Sequence, residues 1–286
     1  MKTGSSSSRS SNDSKGVRAI EPIPIVRPST YLGRSPEGRD GETWQVAAIG
    51  SPRPVWLKLN SCRRQRIADL AASLVGRAIG LPIPKPVLVE VNFAHLPKES
   101  AWHGPPDVEL FFGSQHAGKS PRTFSRILRD GDEQTTRALD RWDGIHACMT
   151  FDEWIANDDR HNGNLLYDPR TDGFWMIDHG RALTGDYWPI WGLDPKAETG
   201  NVLADAVRRG GTTDKLLAEI EKEANAILSD AQGVDWDSFD KAGALVRAID
   251  PEVTAQDIRA FLVDRVELAV VMLMKKLGVR QLDLRP

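Results

Sequence analysis

Hydrophobic and polar positions alternate over short runs in the first third of the chain. The runs at residues 43–49 and 54–59, separated by the turn-forming residues 50–53, predict a hairpin of two strands. Residues 63–79 then carry apolar side chains at i, i+3 and i+4, and Gly80 follows, which predicts a helix and its end. Residues 84–91 predict one more strand. A small unit of strands with one helix is therefore expected here.

Helical periodicity dominates the rest of the chain, after a stretch at residues 93–122 that is expected to be irregular. Four segments carry it, and their predicted bounds are about 124–157, 212–231, 236–249 and 254–277. Two short apolar runs interrupt the pattern at residues 165–167 and 174–177, and the residues between them, Asp-Pro-Arg-Thr-Asp-Gly, are typical of a turn. The pattern therefore predicts a second β-hairpin within a mostly helical region.

Polar side chains with oxygen atoms stand at the open end of this second hairpin. If its turn is centred near Thr171, Asn164 lies opposite Asp178, and opposed residues have Cβ atoms roughly 4.5–5.5 Å apart. Asp159 lies in the loop just before the hairpin. Mg²⁺ commonly takes one or two protein oxygens and leaves its other positions to water and phosphate. The hairpin therefore predicts a site for Mg²⁺ bound to phosphate.

Composition narrows the functional classes. The chain has 286 residues, 40% of them hydrophobic, and a formal net charge of −3, which does not indicate a nucleic acid or a membrane surface as the main partner. No run of 18 apolar residues predicts a membrane helix. The two cysteines, Cys62 and Cys148, are far apart, which suits a reducing, cytoplasmic environment and excludes a disulfide scaffold.

The motif around the second hairpin resembles that of a known family of kinases. Asp159-Arg160-His161 is followed by Asn164 and then by Ile177-Asp178-His179-Gly180, and an Asp, an Asn and a later Asp-x-Gly are the catalytic pattern of kinases. This form is similar to the HipA-like kinases and to their relatives, the phosphatidylinositol kinases. The resemblance is sharp over residues 151–183, looser over 55–91 and absent from the last hundred residues.

The resemblance implies an α+β, bilobal, protein-kinase-like fold, with a small β-rich N-lobe and a larger, mostly helical C-lobe. On this basis residues 1–18 are a disordered Ser-rich leader, residues 19–92 the N-lobe and residues 93–286 the C-lobe. ATP and Mg²⁺ are the implied cofactors, and they would bind in the cleft between the lobes.

The resemblance also implies a role for each motif residue. Asn164 and Asp178 would hold Mg²⁺, and Asp159 would orient or accept the proton of the acceptor hydroxyl. His161 could orient Asp159, assist proton transfer or contact phosphate, because the histidine pKa range permits such work.

Three further residues are candidates for the nucleotide-binding site. Lys58 shares a strand face with Trp56, and if that face is partly buried the lysine needs an anionic partner. The phosphates of ATP would supply one. The alternative is an exposed lysine on an edge strand. Asp69 lies where the family has a glutamate that pairs with this lysine, but an exposed helical aspartate is an equal alternative. Gly33, in the turn-rich stretch 30–35, is a candidate for a phosphate-covering loop.

The segment after the last predicted strand of the N-lobe is the candidate hinge. In kinases the backbone N–H and C=O groups of the hinge bind adenine. Glu90 and Val91 occupy the end of that strand, and they are the predicted adenine-binding positions.

We therefore expect an ATP- and Mg²⁺-dependent kinase whose acceptor is a protein Ser or Thr. Three alternatives remain at this stage: a nucleotide-binding regulator without transfer activity, a kinase that acts on a small molecule or lipid headgroup, and a metal-dependent phosphohydrolase. The last would need more His and Asp ligands than the six scattered histidines provide. Besides ATP and the acceptor, no partner can be predicted.

Overall fold

We describe the protein from a computed structural model, over residues 17–36, 41–60, 62–102, 107–129, 142–185, 188 and 192–279. The predicted leader lies almost entirely outside these residues, as do residues 37–40. The described part combines strands and helices, as predicted, and no helix in it is long and apolar enough to cross a membrane.

Five strands form a closed barrel in the first part of the chain, in the order β1-β2-β3-β5-β4. Adjacent strands are antiparallel, except for β1 and β4, which are parallel and close the barrel. The strands are β1 (Ile25–Arg34), β2 (Glu42–Ile49), β3 (Val55–Leu59), β4 (Pro86–Asn92) and β5 (Val108–Gln115). The predicted hairpin of β2 and β3 is confirmed, with Val46 paired to Val55.

The barrel differs from the sequence prediction at two places. Residues 93–122 were expected to be irregular, yet β5 lies there, buried between β3 and β4 and carrying the buried Phe111 and Phe112. The barrel therefore extends beyond residue 92, the predicted end of the first unit. Residues 30–34 were expected to turn, but they continue β1, whose two register shifts against β2 accommodate the irregular sequence.

Helix α1 (Arg63–Ala78) packs between the barrel and the helices that follow. It ends at Ala78, close to the predicted end, and Gly80 just beyond it has a positive φ of 81°. Gly76 packs closely against the helical part, because a Cβ atom there would come within 2.8 Å of the Phe151 ring. The helix thus joins one core that includes residues of both parts.

The remainder is helical apart from one three-stranded sheet, ordered β6-β7-β8. The strands are β6 (Arg122–Thr123), β7 (Leu165–Asp168) and β8 (Gly173–Met176). The helices are α2 (Phe124–Arg129), α3 (Ile145–Trp154), α4 (Val202–Gly210), α5 (Asp214–Gln232), α6 (Trp236–Lys241), α7 (Gly243–Ile249) and α8 (Ala255–Lys276). Thr213 and Thr254 cap α5 and α8, since their hydroxyl oxygens accept from the N–H groups of Leu216 and Asp257.

Two chain segments connect the barrel to the helical part. Residues 116–121 run from β5 to β6. Before β1, Arg18 bridges to the turn between α5 and α6, where its N–H donates to Gly233 O at 2.8 Å and its C=O accepts from Asp235 N at 2.9 Å. A few residues later, at the end of the same segment, Pro24 O accepts from the N–H of Leu88 on β4 at 3.0 Å.

Candidate active site

The hairpin of β7 and β8 places the predicted metal-binding residues, but in a register shifted from the expected one. Leu165 pairs with Met176, and the N–H of Ile177 donates to Asn164 O at 3.0 Å. Asn164 therefore lies opposite Ile177, and the predicted opposition of Asn164 and Asp178 is wrong by one residue. The reason is the turn, in which four residues separate the paired Asp168 and Gly173, so that its centre falls before Thr171.

Asp178 leaves the hairpin in an unusual backbone conformation. Its φ is +58°, in the left-handed region that residues other than glycine rarely adopt. Its side chain is 44% exposed, and Oδ1 lies 2.7 Å from Lys58 Nζ on β3 of the barrel. The strained turn thus presents the carboxylate to the barrel. Strain of this kind is concentrated at functional sites.

Lys58 connects the barrel, α1 and the hairpin. Its Nζ donates to Asp69 Oδ2 at 2.6 Å as well as to Asp178 Oδ1. β3 lies between β2 and β5, so the alternative of an edge-strand lysine is wrong. Asp69 is fully buried, so the alternative of an exposed helical aspartate is wrong too. Asp69 also accepts from the N–H of His179 at 2.7 Å, and it therefore fixes the residue after Asp178.

The charges of this cluster depend on one another. Burial lowers the pKa of Lys58, but the charges of Asp178 and Asp69 offset that effect and raise it overall. Burial raises the pKa of Asp69, with Lys58 opposing. Burial also acts to raise the pKa of Asp178, yet Lys58 holds it below its usual value. The ammonium and the carboxylate of Asp178 thus stay ionised and available to ligands of opposite charge.

The loop before the hairpin carries Asp159 and His161. Their nearest side-chain atoms, His161 Nε2 and Asp159 Oδ2, are 4.0 Å apart, and both side chains are about two-fifths exposed. His161 Nδ1 accepts from the N–H of Gly163 at 2.9 Å, so the neutral ring carries its proton on Nε2, on the side of Asp159. Burial raises the pKa of Asp159, and the charge of Asp178 adds to this while His161 opposes it.

Asn164 is buried and its side-chain amide has a defined orientation. Nδ2 donates to Asp159 O at 2.6 Å, which leaves Oδ1 as the acceptor atom of the side chain. Asn164 Oδ1 and the Asp178 carboxylate are the oxygens that could hold a metal. No group of three or more His, Cys, Asp or Glu side chains suited to a metal occurs among the described residues. Two hard oxygens fit Mg²⁺, which retains water and phosphate ligands.

The structure does not bring the other predicted residues into this cluster. Gly33 lies inside β1, paired with Gln45. Glu90 and Val91 lie inside β4 and pair with Leu110 and Glu109. The expectation that the chain leaves the barrel after Val91 is wrong, because the unpredicted β5 follows.

Two buried residues of the motif have a larger part in the site than the sequence indicated. His179 packs edge-on against Phe151, with ring centroids 5.8 Å apart, and burial lowers its pKa so that the ring is neutral. Arg160 is completely buried and pairs with Asp152 of α3 at 2.9 Å. The sequence did offer one signal of its part in the site, because Arg160 lies between the candidate catalytic residues Asp159 and His161.

Comparisons with known proteins find similarity to kinases. Residues 56–190 match the model of a family described as HipA-like kinase. A crystal structure described as a Helicobacter pylori proinflammatory kinase, CtkA, has the same general fold, with a TM-score of 0.50 and 11% sequence identity over 89% of this chain and 99% of that chain. No curated protein sequence matches the chain. The resemblance to the HipA-like kinases is therefore confirmed, over residues 56–190.

Proposed function

We propose that the protein is an ATP- and Mg²⁺-dependent kinase that phosphorylates Ser or Thr of a protein. The observation that carries the proposal is the position of Lys58, whose ammonium contacts both Asp69 and the motif residue Asp178. A cation held between a buried and an exposed carboxylate suits a polyphosphate ligand. It also lies beside the motif that kinases use for metal and phosphate.

In the bilobal arrangement that we propose, the barrel and α1 form the N-lobe and the chain from β6 onward forms the C-lobe. Residues 116–121 then form the hinge, in place of Glu90 and Val91, which the sequence had predicted for that role. The boundary near residue 92 moves to the end of β5, because β5 pairs with β3 and β4.

Each side chain of the cluster has a defined task in this proposal. Lys58 stays paired with the buried Asp69 and exchanges Asp178 for phosphate oxygens. Asn164 Oδ1 and Asp178 would hold Mg²⁺, which would neutralise charge on the phosphates. Catalysis of this type consists mostly of positioning and electrostatic stabilisation.

Asp159 acts on the hydroxyl group of the phosphate acceptor. Its carboxylate accepts the proton of the acceptor hydroxyl as the oxygen bonds to the γ-phosphorus and ADP leaves. His161 Nε2 lies 4.0 Å from the same carboxylate, where it could assist proton transfer or contact phosphate. Both side chains are about two-fifths exposed, which leaves them accessible to an acceptor hydroxyl, that of a protein Ser or Thr included.

Cys62 and Cys148 are free, which supports a reducing compartment such as the cytoplasm.

Transfer of labelled γ-phosphate from ATP in the presence of Mg²⁺ tests the proposal. We expect incorporation into the protein itself or into a lysate protein, and we expect Asp178→Asn and Asp159→Asn to abolish it. Asp205→Asn, which breaks only an exposed pair with Arg208 on α4, is the control that retains activity. Acid-stable label on Ser or Thr would support a protein acceptor.

Two results would contradict the proposal. Failure of the wild-type protein to bind Mg²⁺ and ATP would remove its basis. Binding without transfer to protein, small molecules or water would instead favour a nucleotide-binding regulator.

A further inference from the structure

Arg160 is in contact with the backbone of both segments that carry the candidate metal ligands. Its Nη1 donates to Asn164 O at 3.0 Å and to Ile177 O at 2.7 Å. Asn164 is itself a candidate ligand, and Ile177 directly precedes the other, Asp178. One nitrogen atom therefore joins the two strands of the hairpin at its open end, beyond the last pair of the β-ladder.

The other side of the same guanidinium is fixed to helix α3. Nε donates to Asp152 Oδ2 and Nη2 to Asp152 Oδ1, each at 2.9 Å, which is the bidentate geometry of an Arg–carboxylate pair. Asp152 is held in turn by Asn157 Nδ2 at 2.8 Å. Arg160 and Asp152 have no exposed side-chain surface. The group cannot swing to another partner without leaving a buried charge unpaired.

The shifted register of the hairpin explains why such a link is needed. Asn164 and Asp178 are not opposed, so the β-ladder alone does not fix the distance between them. Asp178 also has a strained backbone at φ +58°, which persists only where its surroundings hold it. Arg160 donates hydrogen bonds to Ile177, the residue before the strained Asp178, and to Asn164, which lies opposite Ile177.

We propose that Arg160, held by Asp152, is a positioning residue that sets the separation of the two magnesium ligands, Asn164 and Asp178. The inference rests on the proposed function, since it assigns a metal to these two side chains. Lysine cannot replace arginine in this role, because its single nitrogen cannot be bidentate to Asp152 and also reach two carbonyls.

Binding of Mn²⁺, in place of Mg²⁺, tests the proposal without depending on turnover. The titration is followed by electron paramagnetic resonance in the presence of adenylyl imidodiphosphate, a non-hydrolysable ATP analogue. Loss of a residue that orients a metal ligand typically weakens metal binding by roughly 10–100-fold. We expect Arg160→Lys to raise the Mn²⁺ dissociation constant about 10-fold or more. In the transfer assay the Mg²⁺ concentration for half-maximal rate should rise with it, at saturating ATP.

Arg265→Lys is the matched control. Arg265 is also fully buried, and it donates to Glu153 O at 2.9 Å and to Pro195 O at 2.7 Å, but it has no contact with Asn164 or Ile177. We expect it to lower the melting temperature as Arg160→Lys does, with little change in Mn²⁺ affinity. Asp152→Glu retains the charge and displaces the guanidinium by about one methylene, so it should raise the dissociation constant by an intermediate factor even if Arg160→Lys does not fold.

The outcomes separate this inference from the function on which it rests. Absence of Mn²⁺ and nucleotide binding by the wild-type protein would overturn both. Normal wild-type binding, with an unchanged dissociation constant in folded Arg160→Lys or in Asp152→Glu, would overturn the positioning role alone. An equal loss of affinity in Arg265→Lys would also overturn it, because the effect would then follow stability.

Discussion

Two cations flank the candidate metal ligands, and the protein holds them in opposite ways. Arg160 has no exposed side-chain surface, and its partners are one buried carboxylate and two backbone carbonyls. Lys58 is 21% exposed, and one of its two partners, Asp178, is 44% exposed. Every partner of Arg160 is part of the scaffold, whereas Lys58 has one scaffold partner and one that water and ligands can reach.

The difference indicates how the site separates two tasks. A fixed position requires a buried cation whose partners cannot be replaced, because exchange would leave a charge without a partner in a medium of low polarity. Binding of phosphate requires a cation that can change partners at little cost. The planar guanidinium and the compact ammonium suit these two tasks respectively.

The largest effect should come from removing the scaffold partner of Arg160, and removal of the scaffold partner of Lys58 gives the comparison. Asp152→Asn leaves Arg160 buried without an ion pair, which typically costs about 3–5 kcal/mol of unfolding free energy. Asp69→Asn should cost only about 1 kcal/mol, near the net value of one hydrogen bond, because Lys58 retains Asp178 and water. Urea denaturation followed by tryptophan fluorescence measures both. Equal losses would contradict the contrast between the two cations.

The next effect concerns the exchangeable cation. Lys58→Met removes the charge that would face the phosphates, and loss of one such electrostatic contact typically costs about 10²–10³-fold in rate. We expect a fall of this size in kcat/KM for ATP, measured by the transfer assay, with a folded protein. Lys85→Met serves as the control, since Lys85 pairs only with Glu21 at 3.1 Å among the described salt bridges. A fall of less than about threefold for Lys58→Met would exclude the phosphate-binding role.

The smallest effect should be a shift in pH dependence. Burial and the negative charge of Asp178 raise the pKa of Asp159 in the free protein. Because kcat/KM reports the free enzyme and kcat the bound complex, the acid limb of kcat/KM should lie above the ordinary aspartate range. Asp178→Asn removes that charge, so the pKa of Asp159 in the free protein should fall, as measured by NMR of its carboxyl carbon. An unchanged pKa of Asp159 in this variant would show that the exposed partner of Lys58 has no influence on Asp159.

Local patterns predicted the parts of the fold that depend on neighbours in sequence. Short-range chemistry accounts for the turn at residues 50–53, for helix α1 with Gly80 and for the hairpin around Pro169. It also accounts for the capping of α8 by Thr254. The motif also gave Asp159, Asn164 and Asp178 as candidate site residues, because their spacing is itself a sequence feature.

Long-range pairing accounts for what the sequence did not reveal. Strand β5 follows an irregular stretch and is a strand because β3 and β4 flank it. The burial of Asp69 depends on α1 lying between the barrel and the helices. The contacts of Arg160 depend on a hairpin register that differs by one residue from the expected one, and such a shift is set by the turn geometry as a whole.

The segment before β1 has a mechanical consequence. It is fixed to the turn between α5 and α6 at Arg18, and Pro24 O accepts from the N–H of Leu88 on β4 at 3.0 Å, while residues 116–121 connect the two parts a second time. These two backbone connections lie in addition to the core around α1 that the two parts share. Twisting of the barrel against the helices would therefore have to break backbone hydrogen bonds as well as side-chain packing.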